Sequence, residues 1–353
     1  MESVIIRTEP AYEAVVGRGL LAEAGERTAK AVHGRRVLVT ADRNVAPLYL
    51  EEVCASFEKA GFRTNSFVFP AGEEAKTLQT VESMLEAAAE AELTRSDLFA
   101  ALGGGVTGDM TGLGAALYQR GIDFVQMPTT LLAMVDASVG GKTAVNLSHG
   151  KNLCGAFHQP RLVICDTGTL NTLEKPVRAE GMAEMIKHGM LSGGPLLDRI
   201  EAGADPEELI AENIRFKSGI VEQDEKEHGA RQLLNFGHTF GHGVEKLTGY
   251  SIYHGEGVSI GMMIAAFAAE RHGICPEGVF SELRELLLRE SLPVTTAYSA
   301  GEIAEAAMND KKRRGDNMTL VVPEKRGTCR LITVPCGELA AWMECCDGTV
   351  TGV

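Results

Sequence analysis

No stretch of the chain approaches the roughly 18 apolar residues that a membrane-spanning helix needs. The most apolar helical candidate, around Ile260–Ala269, is too short. Cys-x-x-Cys spacing is missing: eight cysteines are scattered, with one adjacent pair, Cys345–Cys346, near the end. The opening MESVIIRTEP has no basic stretch leading into an apolar one, so it does not read as a secretory signal. These features predict reduced thiols and a cytoplasmic location. Positive charge is in deficit, with 34 Lys and Arg against 48 Asp and Glu, a formal net charge of −14. An acidic surface repels phosphate backbones and anionic lipid, which argues against nucleic acid and membranes as partners. An anionic small substrate must then be drawn in by a local basic pocket. Internal repeats and low-complexity segments are lacking too. What remains is ordinary globular composition, 44% hydrophobic and 23% charged over 353 residues, enough for two domains.

The first half alternates strand and helix patterns. Arg36–Thr40, Thr64–Phe69, Leu98–Leu102, Phe124–Met127 and Leu162–Cys165 read as short buried strands, the last closing the series. Pro47–Ala60, Thr77–Ala91 and Asp109–Tyr118 read as helices between them, predicting an α/β domain with a parallel sheet. From Arg178 to about Asp310 nearly every segment has helical periodicity, followed by a small hairpin, Met318–Val322 with Arg330–Val334. The domain boundary is placed near Asn171–Pro176, giving residues 1–172 and 173–353.

Leu98–Leu102 runs into Gly103-Gly104-Gly105-Val106-Thr107-Gly108-Asp109, a G-x-G-x-x-G match between a strand and a helix. Glycines there let the backbone approach a pyrophosphate, and the helix N-terminus supplies N–H donors and partial positive charge. The alternative is a tight turn without ligand. The motif is not in the first strand–helix unit, so the layout is a variant of the Rossmann arrangement. Asp42, after an earlier strand, is placed to accept from a ribose, although the sequence alone favours an ordinary solvated aspartate. Val139-Gly140-Gly141-Lys142-Thr143 ends like a triphosphate loop. Asp136 stands where that loop needs its first glycine, which argues against an ATPase.

Asn235-Phe236-Gly237-His238-Thr239-Phe240-Gly241-His242 contains two histidines at i, i+4, on one face of a helix, and His254 follows twelve residues later. Upstream, Glu180 and Glu184 lie on another helical stretch. Two imidazoles and a carboxylate form a common catalytic zinc set with an open position. The H-E-x-x-H protease form is absent, because Thr239 occupies the glutamate position. Spacing leaves open which imidazoles bind metal and which moves protons. Lys142, Lys151, Lys187, Lys217, Arg231 and the run Lys311-Lys312-Arg313-Arg314 flank these motifs, suggesting a substrate bearing phosphate or carboxylate. Arg231, seven residues before His238, is expected about two helical turns away on the same side. The run Lys311–Arg314 reads equally as a solvated helix end.

Glu73 with Lys76, Gly104–Asp109, Met127–Ser138, Gly140–Thr143, Gly150–Leu153, Glu184 with Lys187, and Leu234–His242 together resemble the 3-dehydroquinate synthase family, from about Val37 to Gly327. The resemblance implies an NAD- and divalent-metal-dependent lyase of the shikimate pathway. It would convert 3-deoxy-D-arabino-heptulosonate 7-phosphate, a sugar phosphate carboxylate, to 3-dehydroquinate and phosphate. It further implies a nucleotide domain, a helical metal domain (Zn2+ or Co2+) and an active site in the cleft between them. Glu184, His238 and His254 become the metal ligands, and His242 the proton-handling histidine. Asp42, Gly72, Glu73, Lys76, Gly104, Gly105, Val106, Thr107, Gly108, Asp109, Thr129, Thr130, Thr169, Leu170, Asn171 and Thr172 fall to NAD. Lys142 and Lys151 serve both cofactor and substrate. Asp136, Asn152, Lys187, Lys217, Arg231 and Asn235 line the substrate site, and Lys311 or Lys312 reaches the phosphate. Arg120 crosses from a neighbouring subunit, implying a homodimer. One departure is Gly257, where the family often has alanine or cysteine.

A metal-dependent polyol dehydrogenase would share the loop and ligands but would not need a carboxylate clamp of Lys142, Asn152 and Arg231; against a sibling cyclase of another sugar phosphate, Lys187 and His242 favour the dehydroquinate reading.

Overall fold

The structure is a computed structural model and describes residues 1–308, 313, 314 and 316–352. Lys311 and Lys312 lie outside the described residues. In chain order the elements begin β1 Glu2–Ile6, β2 Tyr12–Gly17, α1 Ala24–Ala31, β3 Arg36–Asp42, α2 Glu51–Lys59, β4 Arg63–Phe69, α3 Leu78–Glu90, β5 Leu98–Gly103, α4 Gly105–Leu117, β6 Asp123–Pro128. Next are β7 Lys142–Leu147, β8 Gly150–Phe157, β9 Leu162–Asp166, α5 Lys175–Gly189, α6 Pro195–Glu201, α7 Pro206–Gln223, α8 His238–Leu247 and α9 His254–Arg271. The chain ends with α10 Val279–Arg289, α11 Ala300–Ala307, β10 Arg313–Arg314, β11 Asn317–Lys325, β12 Thr328–Pro335 and α12 Leu339–Met343.

Two units form: Met1–Leu173 with Pro206–Lys226, and Glu174–Asp205 with Glu227–Val353. The continuous division at residue 172 therefore misses one excursion. Helix α7 packs on β1 and β2 in the first unit, burying Leu209, Ile210, Ile214 and Val221, while its Arg215 pairs with Glu2. Periodicity identifies such a helix but not which layer it covers.

In the first unit a seven-stranded sheet runs β1-β2-β9-β6-β5-β3-β4. Only β1 is antiparallel, and the rest are parallel. Alternation sorts the side chains. Val37, Val39, Ala41, Ala100 and Leu102 face Val53 and Phe57 of α2. Leu38 and Phe99 face Val81 and Met84 of α3 and Met110 and Leu113 of α4. Chain order reverses between β3 and β5, the switch point outside whose strand ends ligands bind in such sheets. The β3–β5 register pairs Ala41 with Leu102, so Asp42 and the glycine loop emerge side by side.

The sequence reading missed β1, β2 and the antiparallel pair β7–β8, so Leu162–Asp166 is the last parallel strand but not one of five. Strands β1 and β2 are short and gain their sheet context from β9, far along the chain. In residues 142–157, glycine and asparagine interrupt the alternation.

The second unit is helical apart from β10–β11–β12. Its core surrounds α9, which buries Val258, Met262, Met263 and Ala266 among others. The C-terminal tail belongs to this core. Trp342 stacks on Phe240 and on His272, with centroids 5.9 and 5.3 Å apart, and Cys346 and Val350 are fully buried.

Candidate metal centre and nucleotide loop

The histidine-rich segment folds as two helices pressed together through glycine. Gly237 and Gly241 face Gly257 and Gly261 across α8 and α9. A Cβ on Gly261 would lie 1.8 Å from the Gly237 carbonyl oxygen, and one on Gly241 2.6 Å from that of Gly257. This approach brings His238 and His242, from the first two turns of α8, against His254, the first residue of α9. The ring centroids are 5.2 Å apart for His238–His254, 5.4 Å for His238–His242 and 5.9 Å for His242–His254.

Glu184 comes from α5 and is fully buried, as is its ion-pair partner Lys187 one turn on. Its Oε1 lies 3.5 Å from His238 Nε2 and 3.4 Å from His254 Nε2. Two ring nitrogens thus converge on one carboxylate oxygen, and these ligand atoms all lie within 4.8 Å of one another. This donor set matches a divalent cation of the zinc or cobalt kind. His242, Glu245 and His254 form a second such group, with His242 exposed.

Three further contacts fix the rings. His254 Nδ1 is 2.8 Å from Glu245 Oε1, the His254 backbone N–H donates to Glu180 Oε1 at 3.0 Å, and His238 Nδ1 is 3.2 Å from the Phe236 carbonyl. Burial holds the His238 imidazole well below its ordinary pKa, despite Glu184. Burial acts the same way on His254, but Glu245 and Glu184 outweigh it and push that imidazole up to about 10. Glu180 is raised by burial, which the His254 contacts only partly offset. Glu180 and Glu245 were not given roles by sequence reasoning. The available signal was spacing: Glu180 is one turn before Glu184, and Glu245 follows His242 by three residues.

Arg231 and Asn235 sit in a 3-10 turn, Ala230–Asn235, separate from α8. Gly237, at φ 79°, intervenes, so the expected two-turn alignment of Arg231 with His238 does not hold. Arg231 is 1% exposed all the same, and Asn235 Nδ2 donates to Glu227 Oε1 at 3.1 Å.

In the first unit the glycine loop ends on α4. Its N-cap is Gly104, with no side-chain cap and no acidic residue in the first turn. A Cβ at Gly105 would meet nothing closer than 3.4 Å. The buried hydroxyls of Thr107 and Thr129 have no hydrogen-bond partner among the described residues. A helix N-terminus without a side-chain cap and unused hydroxyls beside it are chemistry that fits a dinucleotide's pyrophosphate. Asp42 Oδ1 accepts from the Asn44 and Val45 backbone N–H groups at 2.8 and 3.0 Å, so the residue orders its own loop.

A polar network binds the β7–β8 pair to α4. Lys76 is 4% exposed and its Nζ donates to Asp109 Oδ2 and Asn152 Oδ1, both at 2.6 Å. Asn146 donates to Glu73 Oε1 at 2.8 Å and accepts from the Asn152 N–H at 2.9 Å. Asn152 holds φ 54°. Burial lowers the Lys76 pKa, but Asp109 and Glu73 more than compensate and hold the ammonium above its ordinary value. Burial raises Asp109, and Lys76 offsets only part of this. Lys142 opens β7 and is exposed, while half-buried Lys151 lies on β8. A strand, not a helix, follows Gly140–Gly141, in keeping with rejection of the triphosphate loop. Lys217 of α7 pairs with Asp136 Oδ1 at 2.8 Å. Thr130 Oγ1 accepts from the Ala133 N–H at 3.2 Å. In the turn Thr167–Thr172, buried Thr169 donates to the Thr129 carbonyl at 3.2 Å, Leu170 is buried, and Thr172 shares a hydrogen bond with Tyr49 at 2.6 Å. Asn171 and Gly72 are exposed.

A parallel-sheet unit with an open phosphate loop and a helical unit with two imidazoles and a carboxylate define a nucleotide- and metal-dependent class. Comparison with known proteins narrows it. Residues 66–179 match the 3-dehydroquinate synthase N-terminal family and residues 181–313 its C-terminal counterpart. A 3-dehydroquinate synthase of Bradyrhizobium diazoefficiens is 44% identical over 337 residues, 90% of this chain and 88% of that one. A crystal structure of 2-deoxy-scyllo-inosose synthase with carbaglucose-6-phosphate, NAD+ and Co2+ superposes with a TM-score of 0.86 at 26% identity, covering 97% of this chain and 99% of that one. The 2-epi-5-epi-valiolone synthase of Streptomyces hygroscopicus, with NAD+ and Zn2+ bound, gives 0.85 at 29% identity, covering 94% and 95%. The chain belongs to the 3-dehydroquinate synthase family.

Proposed function

We propose that the chain converts 3-deoxy-D-arabino-heptulosonate 7-phosphate to 3-dehydroquinate and phosphate. The observation that carries this reading is the convergence of His238 and His254 Nε2 on Glu184 Oε1, in a chain about 40% identical to curated 3-dehydroquinate synthases. Glu184, His238 and His254 would hold a zinc or cobalt ion. Gly104 to Asp109, Asp42, Glu73, Lys76, Thr129, Thr130 and the Thr169–Thr172 turn would hold NAD. When bound, the cofactor supplies an electron-pair acceptor that is regenerated within each turnover, and the cation supplies Lewis acidity at substrate oxygens.

The chain's own groups bind charge and move protons. Lys142, Lys151, Lys187 and Arg231 offer cations to the phosphate and carboxylate of the substrate, concentrating positive charge in an acidic protein. Asn152, Asn235, Asp136 and Lys217 orient its hydroxyls. His242 is exposed at the edge of the cluster and exchanges a proton at a substrate oxygen. We further propose a homodimer, with Arg120 acting across it. Arg120 and Gln119 are both left-handed, at φ 67° and 52°, and exposed, strain of the kind stored at functional positions. All eight cysteines are free, which supports work in the cytoplasm. No helix among the described residues is long and apolar enough to cross a membrane.

The test is phosphate release from the heptulosonate phosphate with catalytic NAD. Release without net NADH, abolished by chelator and restored by zinc, is the expected result. Steady NADH accumulation without phosphate would instead identify a dehydrogenase.

A further inference from the structure

We infer that Glu245 is a positioning residue for the cation site: its carboxylate holds the His254 ring so that Nε2 is presented as the free electron pair. The inference rests on the ligand reading of Glu184, His238 and His254 given above.

An imidazole that binds a cation must be neutral and so carries one proton, and the acceptor beside the other nitrogen decides where that proton sits. His254 Nδ1 faces Glu245 Oε1 at 2.8 Å, while its Nε2 faces Glu184. An ionised carboxylate can only accept, so the proton belongs on Nδ1 and the lone pair on Nε2. Glu245 is 1% exposed, and burying a carboxylate is costly unless a specific partner uses its charge. The rest of the ring's anchorage agrees: Glu180 takes the His254 backbone N–H, so the base of the side chain is fixed as well as its tip. His238 has the same arrangement built from main chain, its Nδ1 facing the Phe236 carbonyl and its Nε2 facing Glu184. Both ligand rings thus turn an acceptor toward Nδ1. In one it is backbone and cannot be mutated away, whereas in the other it is a side chain. Gly257 packs directly on this glutamate, since a Cβ there would lie 2.9 Å from Glu245 Cγ.

Outer carboxylates of this kind are worth roughly 10–100-fold in metal affinity. The zinc Kd of metal-depleted protein is measured by competition with a chromogenic chelator for the parent, Glu245→Gln and Glu245→Ala. Glutamine can turn its amide and donate to Nδ1, which would send the proton to Nε2. The expected result is zinc binding weaker by about tenfold in Glu245→Gln and by up to about 100-fold in Glu245→Ala. Stoichiometry should stay at one ion per chain, and the visible spectrum of the Co2+ form should keep its shape. Unchanged Kd in both variants overturns the inference. So does a Co2+ spectrum showing altered coordination, because Glu245 would then be a ligand beside His242 and His254. A merely structural glutamate would lower the melting temperature of metal-free protein and leave the zinc Kd where it was. Near-UV circular dichroism checks folding, and if the alanine variant does not fold the isosteric glutamine variant decides. Glu184→Gln and His238→Ala serve as reference. If they keep zinc, the ligand reading itself fails; if they lose zinc while the Glu245 variants do not, this inference alone fails.

Discussion

The two units use glycine for opposite purposes. At Gly105 in the first unit an added Cβ would make only ordinary contact, 3.4 Å from Ala137. Nothing in the protein itself demands glycine there, and the first turn of α4 has no side-chain cap. In the second unit a Cβ on Gly261 would overlap the Gly237 carbonyl at 1.8 Å. There the fold demands glycine, and the consequence is that side chains from two helices meet. On the proposed reading, a glycine the fold does not need is there for the close approach of backbone to a ligand. A glycine the fold cannot lose marks close packing, and the chemistry belongs to the side chains beside it.

The largest effect should come from the part of the first unit that glycine does not build. Lys76→Met would strand Asp109 beside α4 without its counter-ion. Removing one partner of a buried pair costs roughly 3–5 kcal/mol, and Asp109, 19% exposed by its side chain, belongs near the lower figure. Denaturant titration should show a loss of about 3 kcal/mol; a loss below about 1 kcal/mol would class the pair with surface ion pairs. Gly261→Ala should follow. Forcing a methyl into a packed crossing costs about 1–3 kcal/mol, and zinc binding should weaken with it, because the displaced helices carry His238 and His254. A variant that melts like the parent would mean that the helices separate without cost, and the proposed role of glycine in the second unit would fail.

Gly105→Ala is the matched experiment in the first unit, with a smaller and differently placed effect. Alanine in the first turn of α4 should leave stability unchanged or raise it by about 0.5 kcal/mol. NAD binding should weaken about tenfold, worth roughly 1.4 kcal/mol, because the methyl occupies the space beside the loop. Isothermal titration with NAD, paired with a melting curve, separates the two. Lost stability with unchanged NAD affinity would reverse the contrast between the units.

This contrast also explains what could be read from the chain. The strand, glycines and helix of Leu98–Leu117 are contiguous, so local pattern was enough to find the loop. His238 and His254 are conspicuous because histidine is scarce, whereas the choice of Glu184 among 48 acidic residues, like that of His254 over His242, came from family likeness. Glu180 was named without a role and Glu245 was passed over, because the chain has 48 acidic residues and the fold turns these two toward His254. Strands β1, β2, β7 and β8 were missed for a related reason. Alternation over five to eight residues is a weak signal, glycine and asparagine interrupt it in β7 and β8, and β2 takes its parallel partner from β9, far along the chain. Helix α7 was found as a helix but assigned to the wrong unit, since an apolar stripe does not name its partner.

The smallest predicted effect separates a structural carboxylate from the functional ones. Asp97 precedes β5 and is 5% exposed. Its Oδ1 accepts from the Arg35 and Arg36 backbone N–H groups at 3.3 and 3.0 Å, and its Oδ2 accepts from Thr94 N–H and hydroxyl at 2.8 and 2.7 Å. Burial alone would raise its pKa, but these donors outweigh burial and hold it below the usual carboxylate range. A depressed native pKa means that the unfolded chain takes up the proton first as pH falls. The stabilisation is therefore complete above the unfolded value of about 4 and disappears as pH drops through the native one. Asp97→Asn should cost about 1 kcal/mol at pH 7, and the gap in urea midpoint between parent and variant should narrow steadily below about pH 4. A gap at pH 3 as wide as at pH 7 would mean that the ionised carboxylate is not its source. Neither zinc nor NAD affinity should change at neutral pH, because every donor to Asp97 belongs to the ends of β3 and β5 opposite the glycine loop. Asp97 is thus a buried carboxylate satisfied by three backbone N–H groups and one hydroxyl, whereas Glu184 faces two imidazole nitrogens.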